Sequence, residues 1–364
     1  MKKILILPFL QMPSGHHHAA DAISACLEEL DDSIEIKKID IFNYTSRIAE
    51  KFSTNLYLKA LNLSPSLYSW LYSQNACKVR TKGKRYFLYE LLFLNSMKRL
   101  IDEEEPDFIF CTHCLPSYLL NCLKMRKQVS MPVVNAYTDY FINTVWGKEH
   151  IDFHFAPSDT MKNLLKLHGV QQQKIHVTGI PVHPEITEKK EGVSTLQSDF
   201  FNVLVSGGNL GVGQIEKIFN RQSFSGKVRY FVLCGKNQKL FKEIEQLHNP
   251  NVLPLSYIPS KQGMNDLYEQ MNAILTKPGG VTVSECIRKQ IPLFLLKSLP
   301  GPEEQNEKYL LDQKLAIKIN PNELENQLLH FLENDADLAK QQRNIVNQMD
   351  KQENLCSVIK HIIT

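Results

Sequence analysis

The 364-residue sequence lacks several features that would assign it to a specialised class of protein. It has no window of about 20 apolar residues, the length that crosses a membrane, so no transmembrane helix is expected. It also has no short-period repeat, heptad array or low-complexity tract, which argues against a solenoid, a coiled coil or a long disordered region. Its net charge of +3 is too small to indicate a nucleic-acid partner by itself.

Export signals are also weak. Lys2 and Lys3 precede an apolar run, but Pro8 interrupts that run and no small-residue cleavage site follows, so we expect a first strand and its loop rather than a signal peptide. The eight cysteines lie among apolar neighbours, and we expect reduced, mostly buried thiols in a cytoplasmic protein. Cys111 and Cys114 form one CxxC without a second, which favours structural thiols over a zinc or redox site.

The sequence is rich in short apolar segments that alternate with helical spacing. Twelve of these segments are predicted to be strands, and several end in Gly, Asn, Asp or Ser before a helix. They span 3–9, 34–41, 107–113, 132–138, 152–158, 174–179, 201–208, 228–235, 251–257, 273–277, 291–296 and 315–320. The alternation predicts an α/β protein with doubly wound parallel sheets.

A polar segment, residues 183–200, is predicted to link two Rossmann-like domains with a cleft between them. The N-terminal domain spans 1–182 and the C-terminal domain 201–339, while a C-terminal helix at about 340–364 can pack back on the first domain. Residues 44–100 break the rhythm with aromatic and basic side chains. Two interpretations of this segment stay open: a pair of core helices joined by a loop, or a surface that meets anionic lipid.

In the C-terminal domain, glycine-rich loops follow predicted strands at the edge where parallel sheets bind phosphate groups. After the strand that ends at Lys277, a glycine pair opens a short helix, whose free N–H groups would face a diphosphate. Glu285, one turn into that helix, can accept both hydroxyls of a ribose, although a solvated helix residue would show the same pattern. The other candidate donor-site residues are Gly207, Gly208, Gly235, Asn237, Gly279, Gly280, Val281, Thr282, Glu303 and Asn306.

In the N-terminal domain, Gly15 opens a helix and His16 lies at its mouth. A helix N-terminus lowers the pKa of a histidine, which leaves the ring able to take a proton from a hydroxyl. The three consecutive histidines would point in different directions on a helix, so no metal site is expected. Asp139, at the end of another strand, either stabilises His16 or caps the next segment.

Eight stretches recur in a specific order along almost the whole chain. They are SGHHHAADAI, YLKALNLSPSLYSWLY, NAYTDY followed by VW, KIHVTGIPVHPE, VSGGNLGVG, VLCGKN, ILTKPGGVTVSE and PGPEEQN. Together they resemble the bacterial diacylglycerol glucosyltransferases and the plant monogalactosyldiacylglycerol synthases. The chain is more distantly similar to the enzyme that adds N-acetylglucosamine to lipid I.

The resemblance implies a glycosyltransferase-B fold and an inverting transfer of a hexose from a UDP-sugar to a membrane lipid, without a metal or other cofactor. The expected acceptor is diacylglycerol or a glycosyl-diacylglycerol, at the inner face of the cell membrane. By this resemblance His16 is the base and Asp139 its nearby acid. Matching donor positions are Gly279 to Thr282 for the diphosphate, Glu285 for the ribose, the Ile258 backbone for uracil, and Glu303 and Asn306 for the sugar.

Three positions depart from the family pattern. Met12, Pro13 and Ser14 replace glycines before Gly15, Pro302 replaces a common glutamine, and His183 stands where arginine is common. The alternatives therefore include a soluble acceptor, a catalytically silent UDP-sugar sensor and a UDP-sugar 2-epimerase. No nucleic-acid partner is expected, and the oligomeric state is left open.

Overall fold

The computed structural model describes residues 2–9, 14–45, 85–188, 200–207, 219, 224–298 and 301–364. The chain divides into two compact units, Met1–Pro181 with Gln352–Thr364 and Val182–Lys351. Three sequence predictions fall wholly or partly outside the described residues: Gly208, most of the aromatic segment at 44–100, and most of the linker at 183–200.

The first unit is built on a six-stranded parallel sheet. Its strands are β1 (Lys3–Leu7), β2 (Glu35–Lys38), β3 (Phe108–Cys111), β4 (Val133–Ala136), β5 (Phe153–Ala156) and β6 (Ile175–Val177). Their order in space is β2-β1-β3-β4-β5-β6. The direction of winding reverses between β1 and β3, so the loops after these two strands lie at the switch point where such sheets bind ligands.

The second unit follows the same plan with another six-stranded parallel sheet. Its strands are β7 (Phe201–Ser206), β8 (Val228–Gly235), β9 (Val252–Ser256), β10 (Ala273–Thr276), β11 (Leu293–Leu295) and β12 (Ile317–Lys318). The order β12-β11-β10-β7-β8-β9 places the switch point between β7 and β10. Each predicted apolar segment contains one of these strands, which confirms the predicted fold class of two parallel α/β domains.

Helices connect the strands, as parallel pairing requires. They are α1 (Gly15–Leu30), α2 (Phe87–Glu104), α3 (Cys114–Met125), α4 (Asp159–Leu167), α5 (Gln238–Glu245), α6 (Lys261–Glu269), α7 (Gly280–Arg288), α8 (Pro302–Asp312), α9 (Leu324–Leu332), α10 (Asp335–Met349) and α11 (Leu355–Ile363). Within the described ranges, every helix is too short or too polar to cross a membrane.

Strand pleating divides the apolar side chains of the first unit between two cores. Leu5 and Leu7 pack in one core with α2 and α3, whereas Ile4 and Ile6 pack in the other with α1 and α11. The last helix of the chain therefore lies against the first helix. This packing explains why the C-terminal residues belong to the first unit.

The expectation that all cysteines are reduced thiols is wrong for Cys26 and Cys356, which form a disulfide. Cys26 lies on the buried face of α1 and Cys356 is the second residue of α11. Packing of the two helices brings their Cα atoms to 5.0 Å, a separation that a disulfide can bridge. Local sequence could not reveal this pairing, because 330 positions separate the two residues. Buried free thiols are Cys111, Cys114, Cys122, Cys234 and Cys286.

Candidate active site

His16 lies in the first turn of α1, at the switch point of the first sheet. Its Nδ1 atom lies 2.8 Å from the carbonyl oxygen of Thr112 and 3.0 Å from the hydroxyl oxygen of Thr138. Thr112 follows β3 and Thr138 follows β4, so residues at three adjacent strand ends place the ring. The Thr112 hydroxyl also donates to the His16 carbonyl at 2.9 Å, which fixes the start of the helix.

These contacts determine which nitrogen of His16 is basic. A backbone carbonyl only accepts hydrogen bonds, so Nδ1 carries the proton and donates to Thr112. The lone pair is then on Nε2. Burial lowers the pKa of His16, while the charge of Asp139 and the bond to Thr112 act in the opposite direction. A neutral ring with one basic nitrogen can accept a proton from a hydroxyl group.

Asp139 acts on His16 through its charge. It follows Thr138, is partly buried, and raises the pKa of the ring against the effect of burial. The capping interpretation lacks a helix to cap, since residues 139–152 form only turns, bends and extended chain. The arrangement leaves the electrostatic interpretation of Asp139.

His113 is a neighbour of His16 that the sequence interpretation missed. Its ring stacks on Phe9 with a centroid distance of 4.4 Å and meets the His16 ring edge-on at 4.7 Å. Its Nδ1 accepts from the backbone N–H of Leu115 at 3.1 Å and so caps α3. Burial, with the nearby His16, holds its pKa well below 6.5. Its position after β3 is the signal that could have found it, because β1 and β3 pair in parallel.

The three consecutive histidines have separate surroundings. His17 is partly buried, and its Nδ1 lies 3.2 Å from the hydroxyl of Ser14 rather than beside His16 Nδ1. In the part of the chain that the structure describes, no three His, Cys, Asp or Glu side chains form a group that could hold a metal ion.

In the second unit, the loop Lys277–Gly280 connects β10 to α7 at the switch point. Gly279 is the residue before the helix, and its N–H donates to the Lys277 carbonyl at 2.8 Å. A Cβ atom at Gly279 would meet no atom within 4 Å, so this position opens to space beside the helix N-terminus. The first N–H groups of a helix, here at Gly280 to Thr282, have no partner within the helix and form an anion-binding position.

Asn306 and the residues before it support this loop. Asn306 is buried, and its Nδ2 donates to the Pro278 carbonyl at 3.0 Å, so its amide holds the loop. Glu303 lies in the first turn of α8 and is partly buried. Pro302 is the first residue of α8 and follows Gly301, whose φ is +105°. Proline suits a first helical position because it needs no N–H there, which gives the departure at 302 a structural reason.

Glu285 is 8% exposed, so it is not a solvated helix residue. The hydroxyl of Tyr268 donates to its Oε2 at 2.8 Å, and Nζ of Lys261 lies 3.5 Å from its Oε1. The sequence interpretation named neither partner. Ile258, the expected uracil position, lies three residues before Lys261 and is partly buried. The positions expected for base and ribose are therefore joined through α6.

The remaining predicted donor-site residues lie at the ends of β7 and β8. Gly207 directly follows β7 and is buried, and Gly235 ends β8 with φ at +57°. Asn237 caps α5 by accepting the backbone N–H of Leu240 at 3.0 Å, so its side chain has a structural task there.

Two parallel α/β units with ligand-binding switch points define the architecture of glycosyltransferase-B enzymes. MurG from Acinetobacter baumannii has this fold with a TM-score of 0.60 at 15% identity, over 100% of this chain and 98% of that chain. A likeness at this identity shows the fold. It does not assign a substrate.

Sequence relatives give the family. Residues 16–182 match the monogalactosyldiacylglycerol (MGDG) synthase family. The uncharacterized glycosyltransferase YkoN of Bacillus subtilis (strain 168) is 45% identical over 87% of this chain and 84% of its own length. A processive diacylglycerol beta-glucosyltransferase of Bacillus cereus (strain G9842) is 27% identical over 87% of this chain and 82% of its own. The chain belongs to the glycosyltransferase family of monogalactosyldiacylglycerol synthases and processive diacylglycerol glucosyltransferases, as the resemblance in its motifs predicts.

Proposed function

We propose that the protein is an inverting glycosyltransferase that moves a hexose from a UDP-sugar to a hydroxyl group of diacylglycerol or a glycosyl-diacylglycerol. The observation that carries this proposal is the bond between His16 Nδ1 and the Thr112 carbonyl, which leaves Nε2 as the basic nitrogen. The names of the sequence relatives support the lipid acceptor.

In the proposed step, Nε2 of His16 takes the proton of the acceptor hydroxyl. The acceptor oxygen forms a bond to the anomeric carbon of the sugar while the bond from that carbon to the diphosphate breaks. UDP leaves with the electron pair, and attack opposite the leaving group inverts the anomeric configuration. The negative charge of Asp139 favours the protonated ring that forms, because it raises the pKa of His16.

The departing diphosphate needs positive charge. We place it at the N-terminus of α7, where N–H groups of Gly280 to Thr282 and the helix dipole provide that charge. Lys277, just before the glycines, adds a cation. Glu285 would accept the ribose hydroxyls. We propose on these grounds that the reaction proceeds without a bound metal ion.

The lipid acceptor places the protein at a membrane surface, and the start of α2 is our proposed contact. Phe87 is 67% exposed and Leu91 is 66% exposed, on the same side of the helix one turn apart. Leu88 is also exposed, and Arg85 precedes the helix. Exposed apolar side chains beside a cation suit a headgroup layer that contains anionic lipid. We propose peripheral attachment to the inner face of the cell membrane.

The test is an incubation of the purified protein with radiolabelled UDP-glucose, UDP-galactose or UDP-N-acetylglucosamine, over vesicles of diacylglycerol and anionic lipid. We expect label in the lipid phase with one donor, and the same yield in the presence of EDTA. Release of UDP without labelled lipid would replace the lipid by a soluble acceptor. Saturable binding of a UDP-sugar without release of UDP would replace the enzyme by a sensor, and a new UDP-sugar in the aqueous phase would indicate a 2-epimerase.

A further inference from the structure

The surroundings of Glu285 carry an inference that deepens the proposed donor site and rests on it. A carboxylate that binds the two hydroxyls of a ribose must present its oxygens in one fixed plane. Glu285 has a partner for each oxygen, Tyr268 at Oε2 and Lys261 at Oε1. Both partners come from α6.

Tyr268 holds the carboxylate from the buried side. The tyrosine is 2% exposed, and its hydroxyl donates to Oε2 at 2.8 Å. Burial, with the charge of Glu285, raises the pKa of Tyr268 well above 10, so its hydroxyl keeps its proton and always donates. One short hydrogen bond from a rigid ring fixes the orientation of the carboxylate and leaves lone pairs on both oxygens for a ligand.

Lys261 holds the other oxygen more loosely. Its Nζ lies 3.5 Å from Oε1 and its side chain is partly exposed, so a ligand donor can approach the same oxygen. Lys261 is the first residue of α6, whose start is fixed by Ser260 Oγ accepting the Gly263 N–H at 3.0 Å.

Gly263 connects this helix start to the loop that contains Ile258. A Cβ atom at Gly263 would lie 2.8 Å from Ser260 Oγ and 3.0 Å from Cγ2 of Ile258, closer than packed atoms normally approach. The glycine therefore lets Ile258 pack directly on the first turn of α6. The loop expected to read the base and the carboxylate expected to read the ribose are held by the same helix.

We infer that Tyr268 and Lys261 are positioning residues that set the selectivity of Glu285 for the ribose diol of a nucleoside diphosphate. They act through Glu285 and touch none of the reacting atoms. Their combined effect is to make the second unit prefer a ribonucleotide over the matching 2′-deoxyribonucleotide.

The test is titration calorimetry with UDP and 2′-deoxy-UDP, and in parallel with ADP and 2′-deoxy-ADP. A hydrogen bond to a charged group predicts a roughly 10- to 100-fold preference of the wild-type protein for the ribonucleotide. Tyr268→Phe should reduce this preference to about threefold or less, mainly by weakening the ribonucleotide, because the carboxylate is then free to rotate. An affinity ratio is measured on folded molecules only, so partial unfolding does not imitate this result.

Two further variants complete the design. Lys261→Met, at a partly exposed position that folding tolerates, should lower the preference by about threefold. Tyr230→Phe is the matched control, since the Tyr230 hydroxyl donates to Glu325 Oε2 at 3.0 Å in the same unit, away from Glu285. It should leave the preference unchanged.

Each outcome separates this inference from the proposed function. Equal weakening of both nucleotides in Tyr268→Phe would show a purely structural role and overturn the inference, while UDP binding by the wild type would leave the proposed function standing. A ribose preference confined to ADP, and lost in Tyr268→Phe, would overturn the UDP donor and support the inference. A wild-type protein that binds none of the nucleotides would overturn both.

Discussion

His16 is held at Nδ1 by Thr112 and Thr138, and Glu285 is held at its two oxygens by Tyr268 and Lys261. The chain order of glycine, histidine and strand ends was enough to predict His16 and Glu285 as candidates. Their partners could not be predicted, because each pair is formed by packing of segments far apart in sequence. Thr112 is 96 positions from His16, and only strand pairing brings them together.

The buried histidines should make the protein sensitive to mild acid. His154 on β5 is fully buried, its Nδ1 lies 2.9 Å from the Tyr137 hydroxyl, and burial, with the charges of Lys174 and Lys148, lowers its pKa to about 3. Its folded pKa lies below the unfolded value of about 6.5, so its stabilising contribution is present above that value and is lost as pH falls toward 3.

We predict that His154 alone accounts for a loss of about 2 kcal/mol in the free energy of unfolding between pH 7 and pH 5. Urea unfolding at both pH values measures this loss. His154→Gln keeps a polar partner for Tyr137 but does not titrate, so its loss over the same range should be smaller by that amount. The same loss in both proteins would contradict the prediction.

At the scale of elements, each predicted strand segment contains a strand, because alternation of apolar runs with helical spacing is a local property. The structure adds the pairing of α1 with α11 and the disulfide between them. That pairing is the contact that local patterns could not supply. It ties the helix that carries His16 to the last nine-residue helix of the chain.

We predict that reduction of the Cys26–Cys356 disulfide destabilises the first unit by about 2 to 5 kcal/mol, because the bond removes freedom from the unfolded chain. Thermal unfolding with and without dithiothreitol measures the effect. The wild type and Cys122→Ala should both unfold at a lower temperature after reduction, whereas Cys356→Ser should respond to the reductant at neither concentration nor temperature. Thiol titration of the unreduced, denatured wild type should find two fewer thiols than after reduction. An unchanged thiol count would contradict the bond.

At the scale of the whole molecule, both units use the same physical device. Each sheet has a switch point, and the candidate residues follow the two strands on either side of it: β1 and β3 in the first unit, β7 and β10 in the second. The order of segments along the sequence predicted two parallel domains. It did not predict which strand ends are neighbours in space, and so left His113 unrecognised.

We predict that removing the exposed apolar side chains of α2 weakens membrane attachment. The double variant Phe87→Ser with Leu91→Ser should reduce the fraction that floats with anionic vesicles by about tenfold, since two apolar side chains lose their burial in lipid. Leu167→Ser is the control, because Leu167 is 84% exposed at the end of α4 in the same unit. Equal flotation of the double variant and the wild type would remove α2 from the contact.

The central claim is that His16 is the base for transfer of a hexose to a lipid hydroxyl, and the most direct test is the rate of that transfer in His16→Ala against His17→Ala. We predict that His16→Ala slows labelling of the lipid by about 100-fold or more while UDP affinity stays within about threefold of wild type. His17→Ala, at the next position of the same helix, should keep most of the rate. A His16→Ala variant that labels lipid at the wild-type rate would contradict the claim.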